Sequence, residues 1–521
     1  MKRAITFLLA CIVMVSVVFT GCKSEQKQVF DGVQISLSDK KITVDGETIT
    51  DDSSQAVYSA NDIVFYAEGK DFTYGEGNKN DEHSQSEADA HTVVHITKAG
   101  QYVLSGDLSL GQIAIDLGED AEENPEAIVT LVLNEVDITC TVAPAIIFYN
   151  VYECGVADEE TATKDVDTTK AGANVIIADG TENNINGSHV AKIYKSVELN
   201  EDGTEIVESK KLHKYDAAFY SKKTMNMNGG EIGDGVLNII ADNEGLDSEL
   251  HLTINGGNIN ITSGNDGINT NEDNVSVTTI NGGTLNILCD GSTGEGDGID
   301  SNGWLVINGG TVISQACATS GDAGIDSDLG IYINGGKVVA SGNMLDRIAG
   351  GEQTYAVFNF ASRQVGDSTY TLKNSEDKIV GEYSPTNDFT YLLVAGDELI
   401  AGDYTFWQGD TQLSASKGMG NMNERPDLPQ GQENQQGNPP EIPENMGNMQ
   451  RPQMDENMTR PQIPYGEIPE GMENMTPPDN MGGGMGIGNM MMGGEASTIF
   501  TMVKGGNQFS NVGPIATTPT E

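Results

Sequence analysis

Leu246-Asp247-Ser248, followed by Asn255-Gly256-Gly257, is one copy of a unit that recurs along residues 228–341. Asn-Gly-Gly begins at Asn228, Asn255, Asn281, Asn308 and Asn334, in steps of 27, 26, 27 and 26 residues. Seven residues before four of these stands a Ser closing a second motif: Phe219-Tyr220-Ser221, Leu246-Asp247-Ser248, Ile299-Asp300-Ser301 and Ile325-Asp326-Ser327. The fifth, Gly267-Ile268-Asn269-Thr270, ends eleven residues before Asn281, consistent with a short loop insertion. A period in this range marks stacked structural units.

Each unit holds short runs with period-two alternation, such as Leu252-Thr253-Ile254 and Asn258-Ile259-Asn260-Ile261, separated by Gly, Asn, Asp and Ser. Helical periodicity is missing, and no Pro occurs between Pro144 and Pro385. Three short strands per repeat with tight turns predict one coil of a parallel β-helix. Propeller blades need about 40 residues each, more than this period offers. Asn and Gly tolerate left-handed backbone at a sharp corner. Asn side chains one coil apart, roughly 4.8 Å, are expected to hydrogen-bond in a ladder.

Aligning the units on their Ser sets Asp247, Asn269, Asp300 and Asp326 in one column, with Asp266 and Asp297 in a second, three residues earlier. Stacked carboxylates repel unless something positive lies between them. Ca²⁺ takes six to eight oxygens from Asp, Asn, carbonyls and water. The six residues are therefore candidate Ca²⁺ ligands, with Asp242, Glu244, Asp290, Glu295, Asp322 and Asp328 nearby. Turn-making and side-chain ladders are the competing explanation. In the strand before each Asn-Gly-Gly, apolar residues lie one and three before the Asn and should face inward. Trp304 and Tyr332 then fall on the outer face, near His251, Thr253 and Thr279, as candidate carbohydrate contacts. A loop covering Trp304 is the alternative.

Lys2 and Arg3 precede an apolar run, Ala4 to Phe19, and then Thr20-Gly21-Cys22. This predicts a signal peptide over 1–21, of the bacterial lipoprotein type, with lipid on the Cys22 thiol. The protein is then exported and anchored on the outer face of the cell membrane. Lys and Arg total 28 against 78 Asp and Glu, a net charge of -50. That excludes nucleic acid as a partner and suits a protein that holds Ca²⁺ outside the cell. Cys140, Cys154, Cys289 and Cys317 follow the leader. Cys289 and Cys317 fall in adjacent coils, where a disulfide and two buried thiols are equally open.

Several segments occur in a telling order: Gly100-Gln101-Tyr102-Val103-Leu104-Ser105-Gly106, Gly111-Gln112-Ile113, Ala178-Asp179-Gly180-Thr181-Glu182-Asn183, Asp216-Ala217-Ala218-Phe219-Tyr220-Ser221 and the Asp-Gly-Ile-Asp repeats. Over roughly residues 30–410 the chain resembles the calcium-containing, right-handed parallel β-helix carbohydrate-binding family of bacterial surface proteins. The resemblance implies bound Ca²⁺ and binding of cellulose-like or acidic, pectin-like polysaccharide. It also implies a fold similar to polysaccharide lyases without an established lyase activity.

The expected organisation is all-β. A linker and β cap over 22–98 leads into the parallel β-helix over 99–350, with an insertion at 187–214. A C-terminal antiparallel β region follows over 351–417. Residues 418–494 hold eleven of the 16 Pro and 13 of the 19 Met and are expected to be a disordered Met/Pro/Gly-rich insertion. Residues 495–521 are expected to add a last strand and tail.

Two other functions stay open. A polysaccharide lyase acting on uronate glycans needs a Lys or Arg base and a cation, yet Lys337 is the only Lys or Arg within 228–341. No Ser/His/Asp or His-metal constellation is visible, so the expectation is a non-catalytic binding protein. A structural cell-surface stalk or adhesin is the other possibility.

Overall fold

A computed structural model describes residues 30–155, 158–417 and 496–515. The expected signal peptide, Cys22 and the 418–494 insertion lie outside the described residues. The described chain is all-β with large mixed sheets, and its one α-helix is the single turn Gln85–Ala88.

From Gly100 to Gly342 the chain visits three parallel ladders in turn. The first holds Gly111–Asp116, Ile146–Asn150, Ala217–Ser221, Glu244–Ser248, Ile268–Thr270 and Ile299–Ser301. The second runs through Gly100–Leu108, Val129–Cys140, Ala173–Ile177, Met225–Gly229, His251–Ile254, Val277–Ile280, Trp304–Ile307 and Gly330–Ile333. The third continues from Val129–Cys140 through Glu182–Gly187, Val236–Ala241, Asn258–Ser263, Thr284–Cys289, Thr311–Gln315 and Lys337–Gly342.

Side-chain alternation sets the register. Met227, Ile254, Ile280, Ile307 and Ile333 are successive partners across the second ladder, and all are buried. Shifting any strand by one residue would turn its apolar set to the opposite face. Each such side chain contributes about 1.5–3 kcal/mol on burial.

The Asn side chains add polar ladders along the same direction. Asn255, Asn281, Asn308 and Asn334 each donate Nδ2 to Oδ1 of the preceding Asn at 2.9, 2.9, 2.9 and 2.8 Å. Asn228 begins the run and donates to the Val175 carbonyl at 3.1 Å. A second run, not foreseen from the sequence, links Asn184, Asn238, Asn260 and Asn286, each at 2.9 Å. The glycine closing four of the five tripeptides, Gly257, Gly283, Gly310 and Gly336, has φ of 91°, 84°, 81° and 86°. Only glycine adopts this corner without strain.

Val33–Leu37 lies parallel to Gly100–Leu108 and antiparallel to Thr43–Val44 at the N-terminal end. The segment expected as an insertion forms an antiparallel hairpin, Val190–Leu199 with Ile206–Tyr215. Beyond Gly350 the strands are mostly antiparallel and enclose an aromatic core of Phe358, Phe360, Tyr370, Phe389, Phe406, Phe500 and Phe509. Phe500–Met502 pairs antiparallel with Gly402–Gln408. A further strand, Gly506–Pro514, pairs parallel with Tyr355–Gln364 and antiparallel with Thr411–Lys417. Sequence reading assigned that stretch to the tail. Its Gly, Asn and Ser mask the alternation of buried Asn507, Phe509 and Val512.

Candidate functional site: a buried acidic seam

In the first ladder Tyr220, Asp247, Asn269 and Asp300 are successive register partners. Their neighbours Phe219, Leu246, Ile268 and Ile299 are all buried in the core. Alternation therefore aims Asp247, Asn269 and Asp300 away from the core, yet Asp247 is 0% exposed. The hairpin ending at Tyr215 leads directly into Asp216 and the strand Ala217–Ser221. Backbone pairing sets Ala217 beside Glu244, and the Asp216 carbonyl accepts from Glu244 N and Asn243 Nδ2.

The result is a buried triad, Asp216, Glu244 and Asp247, with one carboxylate oxygen from each lying within 4.8 Å of the others. Glu244 Oε1 accepts from Asn269 Nδ2 at 3.1 Å, and Asp247 Oδ1 from Asn271 Nδ2 at 2.9 Å. The second oxygens, Glu244 Oε2 and Asp247 Oδ2, are buried without partners among the described residues, as is Asn269 Oδ1. Burial, then Asp216 and Asp247, push the Glu244 carboxyl well above its ordinary range. Burial, then Glu249 and Asp216, do the same to Asp247. Unpaired buried oxygens are costly. A set of oxygens with no nitrogen or sulfur among them matches a hard cation such as Ca²⁺. The residues present therefore fit a metal ion.

One cation from the chain reaches the triad. Lys214 Nζ lies 2.6 Å from Asp216 Oδ2. Burial pulls its pKa down, but Asp216, Glu244 and Asp247 outweigh this and hold the ammonium protonated.

The other sequence candidates continue the seam. Asp266 Oδ1 accepts from Asp297 N at 2.7 Å, and Asp297 Oδ1 accepts from Ala323 N at 2.5 Å. These two thus clip one repeat to the next with half of each carboxylate. Burial first, then the neighbouring carboxylates, push Asp297 to about 9, Asp300 to about 7 and Asp326 to about 6. Burial, then Glu244, also push the Asp266 carboxyl well above its ordinary range. Sequence reading placed Glu244 only nearby and did not select Asp216. Glu244 sits three residues before Asp247, the offset of Asp266 from Asn269 and of Asp297 from Asp300, so it heads the second column. Asp216 carries no such signal, because the hairpin interrupts the period just before it.

Trp304 and Tyr332 are half-buried rather than fully outward. Trp304 pairs with Gly330 and Tyr332 with Val306, two residues out of register. The connection after Ile146–Asn150 folds over this face. Thr168 Oγ1 meets Thr253 Oγ1 at 2.7 Å, Gly155 lies against His251, and Lys164 Nζ stands 5.3 Å from the Tyr332 ring centre. His251 and Thr253 are buried beneath it. The four cysteines at 140, 154, 289 and 317 are free thiols. Cys289 donates to the Asp297 carbonyl at 2.9 Å instead of bonding Cys317.

A cleft of about 430 Å³ opens beside the triad, between the hairpin and the first ladder. Tyr149, Tyr215, Tyr220 and His213 supply its rings, and Lys211, Lys214, Lys222 and Lys223 its cations.

Repeated parallel ladders carrying a buried acidic seam, with an aromatic cleft beside it, define a repeat-built all-β protein. A family model described as "Carbohydrate-binding domain-containing protein" matches residues 90–386, more than half of the chain, and the protein belongs to that family. Among solved structures the chain is similar to a polysaccharide lyase-like protein from C. thermocellum, solved as a gadolinium derivative. The identity is 20% over 62% of this chain and 99% of that one, with a TM-score of 0.32. No curated protein matches. Family membership supports a carbohydrate-binding role.

Proposed function

We propose that the protein is a non-catalytic, polysaccharide-binding surface lipoprotein. In this reading the three ladders wind as a right-handed parallel β-helix, and Ca²⁺ braces its acidic seam. The observation that carries the binding function is the family match over 90–386, which spans the ladders, the triad and the cleft. The metal reading rests on the unpaired buried oxygens of Glu244, Asp247 and Asn269. Asp216, Glu244, Asp247 and Asn269 would hold the ion, which would supply the positive charge these groups lack. Asp300 and Asp326 extend the seam as further candidates, whereas Asp266 and Asp297 share their oxygens with backbone N–H groups.

Cellulose-like and pectin-like chains are the proposed ligands, and Cys22 the proposed point of lipid attachment. Trp304 and Tyr332 remain candidate contacts through the ring surface that the covering connection leaves accessible.

The test is binding of residues 30–521 to cellulose, xylan and polygalacturonate, with Ca²⁺ or chelator. Retention on at least one glycan is expected, with no ultraviolet-absorbing unsaturated product. Failure to bind any glycan by a folded protein would overturn the binding function, and steady product release would establish a lyase instead.

A further inference from the structure

Glu122, Glu153, Glu249 and Glu272 line the cleft together with four lysines. Three of the lysines are already matched. Lys223 Nζ lies 2.6 Å from Glu122, Lys214 2.6 Å from Asp216, and Lys211 3.8 Å from Glu249. Among the described residues Lys222 joins no ion pair. Its Nζ stands 4.5 Å from the centre of the Tyr149 ring. An ammonium over an aromatic face keeps donors free for a second partner.

The rings are arranged to leave one of them available. Tyr215 is buried; it packs edge-on to Tyr149, with centroids 6.3 Å apart at 85°, and tilts against Tyr220 at 5.2 Å. Its hydroxyl is 2.6 Å from His213 Nδ1, and the Tyr220 hydroxyl donates to Glu249 Oε1 at 2.5 Å. Tyr149 alone of the three is half-exposed and has no hydroxyl partner among the described residues. Two buried tyrosines thus fix the attitude of the third. Such a ring, apolar on its face and polar at its tip, suits a sugar.

We infer that the cleft between the hairpin Val190–Tyr215 and the first ladder is a glycan subsite for a sugar bearing a carboxylate, with Tyr149 against the sugar and Lys222 on the acid. This rests on the carbohydrate-binding reading and gives it a place. The acid would pair with Lys222, the one cleft lysine that joins no ion pair among the described residues. The cleft also gives the hairpin a purpose, since Lys211, Leu212, His213 and Lys214 form one wall.

The experiment measures affinity of the whole mature chain for an oligogalacturonate and for its fully methyl-esterified form, by calorimetry. Lys222→Met, Tyr149→Ala and the remote Lys378→Met are compared with the unaltered protein. The acidic form should bind more tightly. Lys222→Met should weaken it by about tenfold, as for loss of a charge-assisted hydrogen bond, and abolish the preference over the ester. Tyr149→Ala should weaken both forms, and Lys378→Met neither. Thermal melting of each variant checks folding. Lys222→Leu serves should Lys222→Met unfold. Equal affinity for acid and ester, or unaltered binding by folded Lys222 and Tyr149 variants, would overturn the subsite while leaving carbohydrate binding intact. No binding to either oligosaccharide or to any other glycan would overturn both.

Discussion

Asn269 Nδ2 donates to Glu244 Oε1 at 3.1 Å, and the remaining oxygens of both side chains are buried without partners. An amide thereby holds a carboxylate in place while leaving a buried acceptor on each side chain. Such an arrangement is stable when a cation meets these acceptors or a proton neutralises the acid.

Calcium should therefore raise the melting temperature, and Glu244→Gln should remove most of that gain. Saturation at about 100 times the dissociation constant stabilises by about 2.7 kcal/mol. In chelator the same substitution should leave melting unchanged or higher, because a neutral amide needs no proton to stay buried. Scanning calorimetry with and without Ca²⁺ checks both signs. A Ca²⁺ response equal in variant and parent would remove Glu244 from the metal site.

The pH dependence follows from the same carboxylates. Asp297, Asp300 and Asp326 have folded-state values of about 9, 7 and 6 against an ordinary 3.8. Above the ordinary value the unfolded chain releases these protons first, so it binds fewer than the folded one and stability falls as pH rises. The stabilising contribution is complete below about pH 4 and lost progressively through pH 6 to 9. In chelator the protein should melt higher at pH 5 than at pH 8, and Ca²⁺ should narrow the difference. A higher midpoint at pH 8 in chelator would contradict this account.

The Asn ladder should resist substitution modestly. Asn281 donates to Asn255 and accepts from Asn308. Asn281→Ala loses both bonds, each worth about 1 kcal/mol, and urea unfolding should register a cost of about 1–2 kcal/mol.

Gly310 should be less forgiving. Its φ is 81°, and a Cβ there would stand 2.7 Å from the Gly283 carbonyl oxygen. Gly310→Ala adds backbone strain and a clash with the preceding repeat, so it should cost more than Asn281→Ala in the same urea series. The reverse order would mean that the corner relaxes.

Much of this architecture is legible in the chain because a repeat states its own register. The Ser-aligned spacing puts Asp247, Asn269 and Asp300 in one column, and they are neighbours across paired strands. The same offset extends to Glu244, although an Asp-only search passes over it. Asp216 is hidden because the hairpin inserted before it breaks the period. The direction of Trp304 and Tyr332 follows from strand alternation. The cover over Tyr332 does not, since it depends on where a connection more than a hundred residues earlier in the chain comes to rest. The cleft is unreadable for the same reason: Tyr149, Lys211 and Lys222 belong to different repeats and a hairpin, and only folding assembles them.

The strand Lys337–Gly342 pairs with Thr311–Gln315 on one side and antiparallel with Phe389–Ala395 on the other. A parallel strand left bare would offer its amides and carbonyls as a template for another chain. Here the C-terminal strands change the direction of pairing at that border, so in this ladder a second copy finds no matching parallel edge to extend. The same segment that completes the aromatic core thus acts as a terminator of growth. A chain cut after Gly350 would present its last rungs to its neighbours and be prone to assemble into fibres.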